Sequence, residues 1–214
     1  MIMKFDFLTH FTTLLEGLEA EGRYRRFRTL ERPVGRFPEG EITHPGGSKQ
    51  PVTIWCSNDY LGMGHNPHVL AAMQQALLQH GAGAGGTRNI AGTTGEMAAL
   101  ETLMAAHHGK ESALVFSSGY TANEGALSVL GKMLPDAIVF SDALNHASMI
   151  SGIRLGASDK KIFPHNDADA LKKLLMSEPA GRPKIVALES VYSMEGDIAP
   201  LKDIVRIARQ YGAL

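Results

Sequence analysis

The sequence predicts an α/β fold in which helices cover both faces of a parallel-type β-sheet. After residue 109, short apolar and β-rich runs alternate with stretches whose apolar residues recur at helical spacing. Such alternation is typical of βαβ units, which place parallel strands in one buried sheet. We expect strands at 113–116, 137–140, 161–163 and 184–188, and helices at 119–133, 145–155, 168–176 and 201–211. Residues 212–214 are typical of a helix C-cap followed by a new strand, so we expect a truncated domain.

The first fifty residues show a different pattern. Apolar side chains at helical spacing predict an amphipathic helix over residues 4–20. Residues 21–50 are rich in Gly, Pro and Arg and are interpreted as an arm or loop. We therefore divide the chain into an N-terminal helix and arm, 1–50, and an incomplete large domain, 51–214. The large domain is expected to open with a strand at 52–56.

The composition is that of an ordinary globular protein, with 44% hydrophobic and 20% charged residues among 214. A formal net charge of -1 gives no overall field that would attract nucleic acid or an anionic membrane, so we expect neither partner. Cys56 is the single cysteine, which excludes an intrachain disulfide, and no histidine pair has zinc-binding spacing, so no metal is expected. The N-terminus is not a convincing signal peptide and no apolar run is long enough to span a membrane, which favours a cytoplasmic location.

Six of the fifteen residues in the stretch 81–95 are glycine. Gly81, Gly83 and Gly86 satisfy the G-x-G-x-x-G spacing of a dinucleotide-binding loop. That motif requires a strand before the glycines, whereas Pro67 and the apolar spacing after it predict a helix over 68–80. A P-loop is excluded as well, because no Gly-Lys-Ser/Thr follows. The glycines therefore indicate special backbone conformations or close backbone approach.

Three strand-to-helix junctions carry polar residues at the sheet edge where doubly wound folds bind ligands. Ser117, Ser118 and Gly119 open a helix whose N–H groups and dipole suit a phosphate, although the same residues are typical of a simple N-cap. His146 lies in the first turn of the next predicted helix; a lone histidine is more often structural, but this one lies at the ligand edge. The third junction, 189–197, is a polar loop that is too generic to assign by itself.

The order of these motifs resembles the α-oxoamine synthases, which are fold-type I transferases dependent on pyridoxal 5'-phosphate (PLP). The resemblance covers residues 21–214, and its motifs are specific in order and spacing. They are NDYLG at 58–62, GAGAGGTRNIAGTT at 81–94, FSSGYTAN at 116–123, SDALNHASMISGIR at 141–154 and ESVYSMEGD at 189–197. The chain is similar above all to the members that condense glycine with succinyl-CoA.

The resemblance implies a homodimer with shared active sites, in which PLP serves as an electron sink while glycine and succinyl-CoA give 5-aminolevulinate, CoA and CO2. His146 matches the histidine that stacks on the PLP ring. The other residues matched to cofactor binding are Tyr60, reaching in from the partner subunit, Ser117, Ser118, Gly119, Tyr120, Glu189 and Ser193. Those matched to substrate binding are Arg25, Asn58, Thr87, Asn89, Ile90 and Ser141. Arg25 also suits the succinyl carboxylate chemically, because guanidinium binds carboxylate with two hydrogen bonds.

The family's Schiff-base lysine has no match in this sequence, since none of the ten lysines lies in the expected Thr-x-x-Lys context. We therefore expect the chain to be an N-terminal half that is inactive by itself. Arg88 has two interpretations, a role in the site and a salt bridge between subunits. Two alternatives to the activity also remain: another α-oxoamine synthase that selects a different acyl-CoA, and a non-catalytic module.

Overall fold

The computed structural model describes residues 5–156 and 159–214, and it divides into two compact units, Met1–Gly83 and Ala84–Leu214. The sequence placed its division earlier, between residues 50 and 51. Each unit has its own secondary structure and is described by itself below.

The first unit begins with helix α1, Phe7–Ala20, as predicted. Asp6 caps the helix, because its carboxylate accepts the N–H groups of Leu8 and Thr9, both at 3.1 Å. Gly22 follows the last turn with a φ of 68°, a left-handed conformation that suits glycine at a helix end. None of the residues of α1 is buried in the described chain, so its apolar stripe stays open. No described helix combines the length and apolarity that crossing a bilayer requires.

A three-stranded antiparallel sheet follows, in the order β1-β2-β3. Its strands are β1 at Thr29–Glu31, β2 at Glu39–Thr43 and β3 at Lys49–Thr53. The prediction of an arm or loop over 21–50 is therefore wrong. The strands are short, mostly exposed and rich in charge, so they lack the apolar alternation that marks a strand in sequence. An ion pair also spans the sheet, since Lys49 Nζ of β3 lies 2.7 Å from Glu31 Oε2 of β1.

The strand predicted at 52–56 is displaced toward the N-terminus, since β3 ends at Thr53. A 3₁₀ turn at Met63–His65 then leads into helix α2, Pro67–His80. Asn66 caps α2 by accepting the His68 N–H at 2.9 Å, and proline occupies the first turn as predicted. The helix directly before the glycine stretch is confirmed.

The second unit contains five helices and three strands among its described residues. The helices are α3 at Gly95–His107, α4 at Gly119–Met133, α5 at Ala147–Leu155, α6 at Ala168–Met176 and α7 at Leu201–Gln210. The strands are β4 at Ile138–Asp142, β5 at Asp159–Phe163 and β6 at Lys184–Ala187. They form a parallel sheet in the order β5-β4-β6. Beyond α7, Ala213 bridges Lys184 in parallel, so the predicted start of a further strand is confirmed.

Helices cover both faces of the parallel sheet, which confirms the predicted fold class. Alternate residues of β4 point to opposite faces. Ile138 and Phe140 pack with α6 and α7 in one core cluster, and Val139 packs with Met149 and Ile153 of α5 in the other. All three β4 residues are fully buried, so this strand lies at the centre of the unit. The arrangement brings the carboxyl ends of the three strands to one edge.

The strand predicted at 113–116 does not form in the described chain, although its residues are apolar. No neighbouring strand lies beside it to complete a ladder. Side chains form hydrogen bonds with its backbone instead. Arg88 Nη1 donates to Val115 O at 3.2 Å, and Glu101 Oε1 accepts the Val115 N–H at 2.7 Å. Apolar β-rich composition alone therefore overpredicted a strand at this place.

Candidate active site

The N-terminus of α4 offers two free N–H groups. Ser118 caps the helix through a reciprocal pair, in which its Oγ accepts the Thr121 N–H at 3.1 Å and Thr121 Oγ1 accepts the Ser118 N–H at 3.2 Å. Between them, the N–H groups of Gly119 and Tyr120 have no acceptor among the described residues, and both residues are exposed. With the Ser117 hydroxyl and the positive end of the helix dipole, these donors can hold an anion such as a phosphate.

His146 lies at the N-terminus of α5, where its own ring caps the helix. Its Nδ1 accepts the backbone N–H of Ser148 at 3.2 Å and lies 2.7 Å from Ser148 Oγ. A backbone N–H can only donate, so Nδ1 is unprotonated and the ring proton is on Nε2. Asn123 of α4 donates to Ser148 Oγ at 3.1 Å, which leaves the Ser148 hydroxyl proton for His146. Two helices thus fix the tautomer and orientation of one imidazole.

Glu189 and Tyr120 both contact His146. The carboxylate Oε1 of Glu189, at the end of β6, accepts the backbone N–H of His146 at 2.6 Å. The ring of Tyr120 meets that of His146 edge-on, with 6.2 Å between centroids. His146 is itself exposed, so a ligand can reach it from the solvent. Three of the predicted site residues therefore meet within one cluster.

A glycine contact lets helices α4 and α5 pack closely together. A Cβ on Gly152 would lie 2.9 Å from Glu124 O and 3.0 Å from Asn123 O, closer than side-chain carbons approach backbone. Gly152 therefore lets α5 pack directly on the backbone of α4. This close approach is what allows Asn123 to reach Ser148.

Ser141 and Ser193 differ in their surroundings. Ser141 is buried, and its hydroxyl accepts from Asn145 Nδ2 at 3.0 Å while the same amide donates to Ala187 O at 2.7 Å. Ser141 was predicted to contact the substrate, but in this chain it is buried. Through Asn145, its hydroxyl links β4 to β6. Ser193 is exposed in the loop after β6, as expected of a residue beside a ligand.

Thr87, Asn89 and Ile90 lie on a tight turn that closes the glycine stretch. The Thr87 carbonyl accepts three N–H groups, from Ile90 at 3.1 Å, Ala91 at 3.2 Å and Gly92 at 2.8 Å. Thr87, Asn89 and Ile90 are exposed, Ile90 by 87%. A compact backbone therefore presents all three side chains to solvent or to a ligand.

Arg88 anchors the same turn from inside. Its guanidinium meets Glu101 of α3 through two hydrogen bonds, Nη1 to Oε1 at 2.5 Å and Nη2 to Oε2 at 3.0 Å. The hydrogen bond from Arg88, ahead of that from the Val115 N–H, lowers the pKa of Glu101 to about 2. Arg88 thus pairs within its own chain, so the predicted salt bridge between subunits is not needed to explain it.

Arg25, Asn58 and Tyr60 belong to the first unit. All three side chains are exposed, Tyr60 by 82%. Asn58 lines a surface cavity with Arg32 and Asp59. The structure brings Tyr120, His146 and Glu189 of the second unit together. The roles of the other predicted site residues, including these three, remain predictions.

Residues 50–214 match the family described as aminotransferase class I and II. The chain belongs to this family. Among curated relatives, 5-aminolevulinate synthase 2 of Cereibacter sphaeroides is 54% identical over 209 residues, which are 98% of this chain and 51% of that protein. The 5-aminolevulinate synthase of Rhodobacter capsulatus is 53% identical over 94% of this chain and 49% of its own length. These matches confirm the resemblance that the motifs predicted.

Among solved structures, serine palmitoyltransferase of Sphingomonas wittichii is similar to this chain, with a TM-score of 0.85 and 34% identity. That alignment covers 98% of this chain and 52% of the other. The chain spans about half the length of the relatives that it matches.

The sequence did not predict a role for some residues around His146. Asn123 and Ser148 lie within two of the quoted motifs but were not assigned a role, because their contact joins residues that are 25 positions apart, on two different helices. His165 follows β5 at the same sheet edge and was also overlooked. A polar residue directly after a buried strand was the signal used for the other junctions, and it would have found His165 too.

Proposed function

We propose that the protein containing this chain condenses glycine with succinyl-CoA to give 5-aminolevulinate, CoA and CO2, using PLP. One observation carries the proposal: the free N–H groups of α4 lie beside an oriented, exposed imidazole and a carboxylate. A phosphate-bearing planar cofactor fits this cluster, with the phosphate at the helix N-terminus and the ring on His146. The curated relatives named 5-aminolevulinate synthase favour this chemistry.

Each residue of the cluster has a separate task in this proposal. Ser117, Ser118, Gly119 and Tyr120 hold the phosphate through hydroxyls and N–H groups. His146 stacks on the ring, held in the Nε2–H tautomer by its contact with the next turn of α5. Glu189 holds the His146 backbone in place, and Ser193 borders the cofactor. When bound, PLP withdraws electrons from the amino acid's Cα and so makes that carbon nucleophilic.

The exposed turn of the glycine stretch serves the acyl-CoA. Thr87, Asn89 and Ile90 supply a hydroxyl, an amide and an apolar side chain, which suit the polar and methylene parts of a succinyl thioester. Arg25 binds the terminal carboxylate, and Asn58 completes the substrate contacts. A rigid turn lowers the conformational entropy that binding must remove, so substrate affinity benefits from the pairing of Arg88 inside.

The active protein in this proposal is a cytoplasmic homodimer, with Tyr60 reaching the cofactor of the neighbouring subunit. Open apolar surface supports a partner: in α1, Phe7, Leu8 and Phe11 are 65%, 78% and 56% exposed. Helix stripes of this kind are normally covered in the assembled protein. A shared site would also explain why Tyr60 is exposed in this chain.

A second candidate takes a different acyl group, because the serine palmitoyltransferase of Sphingomonas wittichii has a similar fold. The discriminating experiment supplies the protein, as its gene encodes it, with PLP and four substrate pairs. Glycine or serine is combined with succinyl-CoA or palmitoyl-CoA, and CoA release and the condensed product are measured.

The proposal predicts 5-aminolevulinate from glycine and succinyl-CoA, with at most slight product from the other pairs. Preference for palmitoyl-CoA would replace it with the second candidate. Folded protein that gives no product from any pair would support a non-catalytic module.

A further inference from the structure

A cluster of ionisable side chains lies below the candidate site, at the carboxyl end of β5. His165 stands between two carboxylates: Nδ1 is 2.8 Å from Asp142 Oδ1, and Nε2 is 2.9 Å from Asp197 Oδ2. Asn166 joins the same two residues, since its N–H donates to Asp142 Oδ2 at 2.9 Å and its amide to Asp197 Oδ2 at 3.0 Å. The ring of Tyr192 packs edge-on against His165, 4.4 Å between centroids.

Each of the two contacts of His165 with a carboxylate requires a ring N–H, because ionised carboxylates only accept. The Asn166 amide nitrogen, which lies 3.1 Å from Nε2, donates to Asp197. A neutral imidazole carries one ring proton, so the two hydrogen bonds exist together only in the imidazolium. The hydrogen bonds to Asp142 and then to Asp197 accordingly raise the pKa of His165. Burial opposes ionisation of Asp142, yet the N–H groups of Asn166 and Leu144, together with His165, hold the pKa of Asp142 below its usual range.

The two carboxylates belong to the two loops that carry the candidate site. Asp142 ends β4 and begins the loop to His146, and its Oδ1 also accepts the Leu144 N–H at 2.9 Å. Asp197 closes the loop after Glu189, and its carbonyl accepts the Tyr192 N–H at 3.0 Å. His165 therefore holds one loop with each ring nitrogen.

A short path of contacts leads from His165 to the cofactor face. Tyr192 is 1% exposed, and its hydroxyl oxygen accepts the backbone N–H of Glu189 at 3.2 Å. Burial raises the pKa of Tyr192 to about 12, so the phenol stays protonated. Glu189 in turn accepts the N–H of His146. The position of His165 thus sets the position of Tyr192, and through it the Glu189–His146 contact.

We infer that His165, clamped between Asp142 and Asp197, is a positioning residue that fixes His146 and Glu189 in the geometry needed to bind the cofactor. This inference rests on the proposed function. His165 does not touch the cofactor in it; the residue acts through the two loops. The His165 ring, just after β5, thus links β4 with the loop after β6.

The test compares variants of the protein as its gene encodes it, prepared without cofactor. His165→Gln keeps a polar side chain but cannot donate to both carboxylates from opposite ends. Asp197→Asn weakens the contact with only one loop, so it provides the test if His165→Gln folds poorly. His107→Gln is the matched control, since His107 is an exposed histidine at the end of α3, away from the cluster. For each protein, the dissociation constant of PLP, the visible circular dichroism of bound PLP and the thermal midpoint without PLP are measured.

We expect His165→Gln to weaken PLP binding about tenfold, comparable with the loss of one charged hydrogen bond. Asp197→Asn should weaken it about threefold, and both should alter the circular dichroism band, because that band reports how the ring is held. His107→Gln should match the wild type. If folded His165→Gln and Asp197→Asn bind PLP with wild-type affinity and spectrum, the inference alone is overturned. If the wild type binds no PLP, the proposed function fails and the inference with it.

Discussion

Gly92 is the glycine whose replacement should most damage the turn at residues 87–92, which we propose to contact the acyl-CoA. A Cβ at this position would overlap the carbonyl oxygen of Gly86 and lie 2.7 Å from its carbon and 2.8 Å from the Thr87 carbon. These are backbone atoms, so no side-chain rotation can relieve the contact. Gly92→Ala must therefore move the turn itself.

The size of the effect follows from what the turn would lose. Moving residue 92 away breaks its hydrogen bond to Thr87 O, now 2.8 Å, and weakens the neighbouring one from Ala91 at 3.2 Å. Two such bonds contribute about 1–3 kcal/mol, and residual overpacking adds about 1–3 kcal/mol. We therefore expect a loss of about 2–6 kcal/mol in the free energy of unfolding, part of which local opening of the turn would absorb.

Gly95→Ala is the matched control, because it lies three residues away in the same stretch and has open space around it. Thermal denaturation and the KM for succinyl-CoA are measured on both variants of the protein as its gene encodes it. Gly92→Ala should lower the thermal midpoint by several degrees and raise the succinyl-CoA KM at least tenfold. Gly95→Ala should leave both near wild type. Equal behaviour of the two variants would refute the role given to Gly92.

Three further predictions concern the site. Ser148→Ala should weaken PLP binding about fivefold to tenfold by freeing the imidazole that its hydroxyl orients, whereas Ser128→Ala, which removes a hydroxyl bonded within α4, should not; equal PLP dissociation constants would contradict this. Because the folded state raises the pKa of His165, its contribution to stability is complete below about pH 6.5 and is lost as the pH rises through that raised value. The thermal midpoint should fall over this range in the wild type and less so in His165→Gln, and parallel curves would exclude the effect. Arg25→Ala should raise the KM for succinyl-CoA about tenfold or more and that for glycine little, with Arg28→Ala unchanged; an unaltered succinyl-CoA KM would remove Arg25 from the site.

The parallel sheet and its helices could be predicted because the buried strands β4 and β6 contain continuous apolar runs and the helices have apolar stripes, whereas in β5 only the last residues, Ile162 and Phe163, are apolar. The small antiparallel sheet of the first unit could not be predicted, because its strands lie in a segment whose composition is typical of loops. The ion pair between Lys49 and Glu31 is visible only in the structure. The stretch 113–116 shows the opposite error. Its apolar residues satisfy the strand pattern, but a ladder needs a neighbour, and composition does not say whether one is there.

The site was predictable in its motifs and not in its contacts. Residues at strand ends, such as His146 and Glu189, could be found because parallel strands bring their carboxyl ends together. The partners that orient them could not, because Ser148 meets Asn123 only where Gly152 lets two helices approach. Spacing along the chain carries no information on such a contact.

In the proposed site, the N-terminus of α4 and the ring of His146 hold one PLP molecule. A crystal structure of the protein, as its gene encodes it, grown with PLP would reveal whether they do. We expect the phosphate within hydrogen-bonding distance of the N–H groups of Gly119 and Tyr120, with the pyridine ring stacked on His146. PLP bound elsewhere, or ordered with its phosphate away from α4, would contradict the proposed cofactor site.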